Sequence, residues 1–150
     1  MADSPVQTMN LALEQMIPRA HQMGVTFLEL RPGYVRAEVP FEGNGNHFGV
    51  IYAGVLFTLA EVLGGAMHMI SFDAAATHYP LIKGMRIDFL APGKGRLSAT
   101  ATLTDEQVAE IKAAAANGKV SYELRAEILD TDGKVVVTTV GDYQIRPYGT

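Results

Sequence analysis

The stretch VIYAGVLFTLAEVLGGAMHMI, Val50 to Ile70, holds a single charged side chain, Glu61, in an otherwise uncharged run. Apolar residues over that length, uninterrupted by proline, predict one long helix that is largely buried, and an ionisable carboxylate in such a place is disfavoured unless something needs it. On a helix Gly54, Thr58, Glu61, Gly65 and His68 recur at steps of four and three and share one face, while Leu56, Ala60, Leu63 and Met67 share another. The apolar face suits a concave sheet. The small face with its carboxylate suits a crevice or the close approach of a second subunit, because glycine inside a helix is costly and signals close contact. Just upstream, Asn44-Gly45-Asn46-His47-Phe48-Gly49 is a glycine-punctuated polar loop that delivers amides and side chains to the start of this helix.

Outward from the helix the pattern turns to strands. Val25 to Arg31 and Tyr34 to Val39 are rich in β-formers, and Pro32-Gly33 turns the chain between them. Beyond the helix, Met85, Ile87 and Phe89 alternate with Arg86 and Asp88, and Leu97, Ala99, Ala101 and Leu103 alternate with Ser98, Thr100 and Thr102. Thr104 and Gln107 have capping-box spacing at the head of a short solvated helix that ends at Gly118. The last hairpin alternates through Val120, Tyr122, Leu124, Ala126 and Ile128, turns at Asp130-Thr131-Asp132-Gly133, and alternates again through Val135, Val137, Thr139, Gly141, Tyr143 and Ile145. At the N-terminus Val6, Met9, Leu13, Met16, Ile17 and Ala20 mark an amphipathic helix that Pro18 kinks or ends and Gly24 closes. Strands clustered on both sides of one apolar helix predict an α+β fold, an antiparallel sheet wrapped round that helix. One domain is expected over 1–150, with 1–24 as a helical flap and 25–148 as the core.

Composition narrows the function. With 150 residues, 48% of them hydrophobic, the chain has enough for one core. A net charge of -4 with 12 Lys and Arg gives no dense basic face, so no nucleic-acid partner is expected. The absence of cysteine removes disulfides, thiolate nucleophiles and zinc ribbons. His21, His47, His68 and His78 show no ligand spacing, and no metal is expected. Val50 to Ile70 has the length of a membrane span, but Glu61, His68 and its glycines weigh against insertion, and no secretory pattern opens the sequence. A cytoplasmic protein without a membrane partner is the expectation.

Asn46, Gly49, Tyr52-Ala53-Gly54 and Leu59-Ala60-Glu61 resemble the motif of the small hotdog-fold acyl-CoA thioesterases of the phenylacetyl-CoA and 4-hydroxybenzoyl-CoA type. There, Asn or Gln, Gly, then His-Gly-Gly precede an Asp or Glu on the hotdog helix. The spacing from Asn46 to Glu61 matches without a gap, and Lys83-Gly84-Met85-Arg86 to Pro92 is similar to the strand that follows the helix. Three positions depart: Tyr52 stands where His is usual, Ala53 where the first Gly is usual, and Gly65 where some members carry a hydroxyl. The resemblance implies a hotdog fold, thioester hydrolysis with no cofactor beyond the coenzyme A of the substrate, and a homodimer or dimer of dimers. It also implies a site built at the subunit interface, with the acid from one chain and the Asn and backbone amide from the other.

The residues support that chemistry on their own terms. A helix N-terminus at Ala53 offers a free amide and partial positive charge to a developing oxyanion. Asn46 adds a side-chain amide, and Glu61 either attacks the carbonyl or deprotonates a water, with burial raising its pKa toward a useful range. His47, Phe48, Gly49, Tyr52, Gly54, Phe57, Gly65 and Tyr79 are the expected substrate contacts, with Phe48, Ile51, Phe57, Met9, Met16 and Met23 round the acyl group, and Lys83 and Arg86 are candidates for coenzyme A phosphates. A non-catalytic acyl-binding hotdog protein is the alternative. A hotdog hydratase or dehydratase ranks below it, because the Glu61 region has no His at the Asp-then-His spacing that resembles that branch.

Overall fold

Why a sheet should curl round one helix is visible in its smallest side chains. Ala37 pairs with Ala99 across one strand pair and Ala101 with Ala126 across the next, so the inner face of the sheet is a trough of small residues. Into this trough sinks α3 (Ala53–Ser71), with Leu56, Leu59, Leu63 and Met67 fully buried. The computed structural model describes residues 3–150 and orders its elements as α1 (Pro5–Met16), α2 (Pro18–Gln22), β1 (Thr26–Arg31), β2 (Tyr34–Val39), α3, β3 (His78–Phe89), β4 (Leu97–Thr102), α4 (Asp105–Ala115), β5 (Val120–Leu129) and β6 (Val135–Pro147). The six strands form one antiparallel sheet in the order β1-β2-β4-β5-β6-β3. This is the hotdog arrangement, and the alternations read along β4, β5 and β6 are its buried face.

Local signals set the boundaries. Pro18 stops α1 and starts α2, since a proline supplies no amide for an ongoing helix but suits a first turn. Thr104 and Gln107 close a capping box on α4, and Ser4 and Gln7 close another on α1. The expected helix over Val50 to Ile70 begins three residues later, because Val50 and Ile51 are tied to other segments: the Asn46 amide donates to Val50 O at 2.8 Å and the Ile51 amide to Gly93 O at 2.8 Å. At the far end of α3, Ser71 Oγ accepts from the Gly33 amide at 3.0 Å, fastening the β1–β2 turn to the helix.

Two features escaped the sequence reading. β3 begins at His78, well before the alternation at Met85, because it is an edge strand, paired only with β6, and a bulge between Ile82 and Gly84 breaks its parity. His68 leaves the small face of α3 and is buried, 1% exposed, because α1 covers that end of the helix. The opposite sheet edge, β1, is blunted by Asn10 of α1. Its side chain donates to Phe27 O at 3.0 Å and accepts from the Phe27 amide at 2.8 Å, filling the ladder beside a bulge at Leu28. α3 has the length and hydropathy of a membrane span, yet 56% of its apolar window is buried inside the sheet, which accounts for that composition as a core helix.

Candidate active site

The loop before α3 is built from its own polar groups. Asn44 is buried and donates through its side chain to Met23 O at 2.6 Å and Pro40 O at 2.8 Å, tying the loop to the flap and to the end of β2. Asn46 Oδ1 accepts from the amides of Phe48 at 2.9 Å and Val50 at 3.3 Å, and the Gly49 amide donates to Asn46 O at 3.0 Å, with Gly49 at φ +73°. Asn46 is therefore a turn former through its oxygen. Its side-chain NH₂ has no acceptor among the described residues and remains a donor.

That donor shares a groove with the start of α3. Asn46, Phe48, Val50, Ala53, Phe89 and Lys94 are among the walls of an open cavity of about 630 Å³. The Ala53 and Gly54 amides, at the first positions of α3, find no acceptor among the described residues. Tyr52 contributes no side-chain cap; its ring lies back over the first turn, so that a Cβ on Gly54 would meet Tyr52 Cζ at 2.9 Å. Gly54 is small because Tyr52 occupies the space above it. His47 and Phe48 are exposed, their rings 3.9 Å apart.

Glu61 stands elsewhere in the same chain. It lies two turns beyond Ala53, about 12 Å along the helix, on the outward stripe with Phe57, Thr58 and Gly65. The carboxylate is half-buried with no cation, amide or hydroxyl partner among the described residues, and burial holds its pKa above the usual carboxylate range. What touches Glu61 is below it: Tyr143 passes between Gly64 and Gly141 and donates its hydroxyl to Glu61 O at 2.9 Å. Burial, helped by the charge of Glu61, keeps that phenol protonated far above its ordinary range.

The remaining expected contacts divide. Gly65 and Tyr79 line a second cavity, about 430 Å³, beneath α1, together with Met9 and Met16; Met23 is not on its wall. Phe57 is 40% exposed beside Glu61, and Phe48 and Ile51 belong to the groove at Asn46. Tyr79 also donates to Thr150 O at 2.8 Å. Lys83 sits exposed on the β3 bulge, whereas Arg86 is held by Asp88 at 2.9 Å on the convex face. Within one chain, then, Asn46 and Ala53 come together while Glu61 and Gly65 lie further along α3, and Tyr79 of β3 faces the same second cavity as Gly65. Sequence reasoning missed Asn10, which anchors the flap, and the placing of His68 and His78 on one cavity wall; no periodic pattern carries either.

A single apolar helix inside an antiparallel six-stranded sheet, with a lone carboxylate on its uncovered stripe, places the chain in the thioesterase-like hotdog superfamily. Within it, the chain belongs to the family described as a domain of unknown function, DUF4442, whose profile matches residues 7–145. A protein of unknown function from Pseudomonas aeruginosa, named a probable thioesterase, is similar at 38% identity, covering 95% of this chain and 96% of that one with a TM-score of 0.85. The fold is shared with a thioesterase from Haemophilus influenzae (15% identity, 100% and 95% covered, TM-score 0.76) and with the PaaI protein of the phenylacetic acid degradation operon of E. coli (19%, 93% and 96%, TM-score 0.65). No curated protein matches the sequence.

Proposed function

We propose that this protein hydrolyses an acyl-CoA or related thioester to the free acid and thiol, in sites shared between two copies of the chain in a cytoplasmic homodimer or dimer of dimers. The observation that carries this reading is Glu61: a half-buried carboxylate without a partner among the described residues, its pKa raised by burial, on a helix stripe that the sheet leaves uncovered. A structural acid would have found a cation or a donor.

The second copy supplies what one chain sets apart. Phe57 and Met69 on α3 and Phe89 and Leu90 at the end of β3 are 40 to 60% exposed, and β3 offers a free ladder edge twelve residues long. A two-fold partner covering that stripe brings the partner's Asn46 and Ala53 groove toward Glu61. The thioester carbonyl oxygen then receives the free Ala53 amide and the Asn46 NH₂. Glu61 takes a proton from water as the water oxygen bonds to the carbonyl carbon, the C–S bond breaks, and the thiolate leaves with that proton returned to it. In the covalent route Glu61 itself bonds to the carbonyl carbon, and water hydrolyses the resulting anhydride. Tyr52, Gly54 and His47 border the thioester, Phe48, Gly49 and Phe57 the acyl entrance, and Lys83 is better placed than Arg86 for a coenzyme A phosphate because Arg86 already serves Asp88.

Thiol release from short, long and aromatic acyl-CoA substrates, for the wild type and for Glu61→Gln, tests the reading. Glu61→Gln keeps shape and polarity, so turnover should fall by a factor of ~10² or more with folding intact. Wild-type turnover in a folded Glu61→Gln protein would make Glu61 structural, and a wild type inert on the whole panel would leave an acyl-binding protein.

A further inference from the structure

The cavity beneath α1 contains polar groups that its walls do not explain. Met9, Leu13, Met16, Val62, Gly65 and Tyr79 make it largely apolar, a space of about 430 Å³. On the same wall stand His68 and His78. His68 is 1% exposed, and neither of its ring nitrogens has a hydrogen-bond partner among the described residues; the backbone of His78 lies beside the ring without meeting hydrogen-bond geometry. His78 Nε2 is likewise buried without a partner. Buried polar atoms left unsatisfied are costly, and native interiors hold few of them without a reason.

One tautomer satisfies both contacts of the Thr77 hydroxyl: His78 Nδ1–H donates to Thr77 Oγ1 at 2.8 Å while the hydroxyl hydrogen goes to Ala74 O at 3.3 Å, and His78 Nε2 is then an acceptor on the cavity wall. His68 in its neutral form brings one donor and one acceptor, and burial holds it neutral. An alcohol answers both, its oxygen accepting from His68 N–H and its hydrogen donated to His78 Nε2, and on an acyl chain it would take the place of a water. A carboxylate would need a cation, and none lines this wall.

Gly65, one turn past Glu61, lines the cavity, and a Cβ there would meet nothing within 4 Å, so the outward stripe of α3 puts no side chain at this position between Glu61 and the cavity. His68 is seven residues past Glu61, a rise of about 10 Å, which roughly eight extended chain atoms would span. The methionine and leucine walls suit a flexible aliphatic chain.

We propose that the cavity beneath α1 receives the far end of the acyl chain, and that His68 and His78 select a medium-length chain bearing a terminal hydroxyl. This names the substrate class for the thioester hydrolysis proposed above and rests on that reading. The test has two arms. Calorimetric binding of octanoate and 8-hydroxyoctanoate to the intact protein needs no catalysis, and thiol release from octanoyl-CoA and 8-hydroxyoctanoyl-CoA reads kcat/KM. The wild type should prefer the hydroxylated compound about tenfold or more in both arms. His68→Leu, which satisfies the apolar wall, should abolish or reverse that preference while tightening octanoate, and Gly65→Leu should weaken both acids by closing the entrance. Preferential binding of 8-hydroxyoctanoate without any thiol release would sink the hydrolase and leave the hydroxyl selection standing. Thiol release with equal preference, a preference unchanged by His68→Leu, or no binding of either acid would each overturn the proposal; in those cases the imidazoles hold only water.

Discussion

Gly64 and Gly65 are neighbours in sequence, and the structure assigns their replacement by alanine opposite signs. A Cβ on Gly64 would sit 2.5 Å from Tyr143 Cδ1 and closer still to the rest of the ring edge, where ordinary contact begins at 3.4 Å. The ring has no retreat: behind it is Gly141, whose own added Cβ would meet Tyr143 Cδ2 at 3.1 Å, and Tyr122 stacks on it with centroids 5.9 Å apart. Gly64→Ala therefore forces α3 off the sheet or turns Tyr143 away from Glu61 O. Overpacking costs ~1–3 kcal/mol and a lost hydrogen bond about 1 kcal/mol, against a helix-propensity gain of about 1 kcal/mol. The net loss is ~2 kcal/mol, about 4–8 °C in Tm at this chain length. Gly65→Ala meets open space and keeps only the propensity gain, so it should raise stability by up to about 1 kcal/mol in the isolated chain. Urea unfolding of both variants, followed by tyrosine fluorescence and circular dichroism, measures the pair. Equal costs at the two positions would mean that α3 is rotated relative to the sheet, and the face assignment of Glu61 would fall with it.

Three further expectations follow from single groups. Glu61 has a folded-state pKa raised by burial, so the folded protein binds more protons than the unfolded chain above pH 4.5; stability should fall as pH rises from there through the raised value and then level off, while kcat/KM should rise through the same window. Glu61→Gln should remove that stability slope, and a slope that persists in the variant would locate the titration elsewhere. Asn10→Ala deletes both bonds to Phe27 and should cost ~1–3 kcal/mol with faster hydrogen exchange in α1 and β1; exchange unchanged in both would show that packing alone holds the flap. Coexpressed Glu61→Gln and Asn46→Ala chains, each inactive or impaired alone, should regain up to about a quarter of wild-type sites through mixed dimers, and verified mixed dimers without rescue would place both residues in the same subunit's site, or in none, and end the shared-site reading.

What the sequence disclosed followed from how each element is buried. β4, β5 and β6 have one covered face, so Leu97, Ala99 and Ala101, or Leu124, Ala126 and Ile128, alternate with polar neighbours and announce themselves. β3 has an edge, a bulge and a half-open inner face, so residues from His78 to Ile82 are all partly buried and no alternation exists to be read. The outward stripe of α3 was legible as far as Glu61 and Gly65 because only the sheet decides burial there; at His68 a second layer, α1, arrives from far away in sequence and reverses the environment. The same reasoning bears on the site. Spacing along the chain ranks Asn46 and Glu61 as neighbours in a motif, yet a helix rises about 1.5 Å per residue, and the eight residues from Ala53 to Glu61 put the acid well beyond a hydrogen bond's reach of either donor. Periodicity carries the face of a residue but not the copy of the chain it serves. Among the described residues Glu61 is a carboxylate without a partner on an uncovered stripe, and the Asn46 NH₂ and Ala53 amide are donors without an acceptor in a separate groove; the proposed two-fold pairing would satisfy both with one interface.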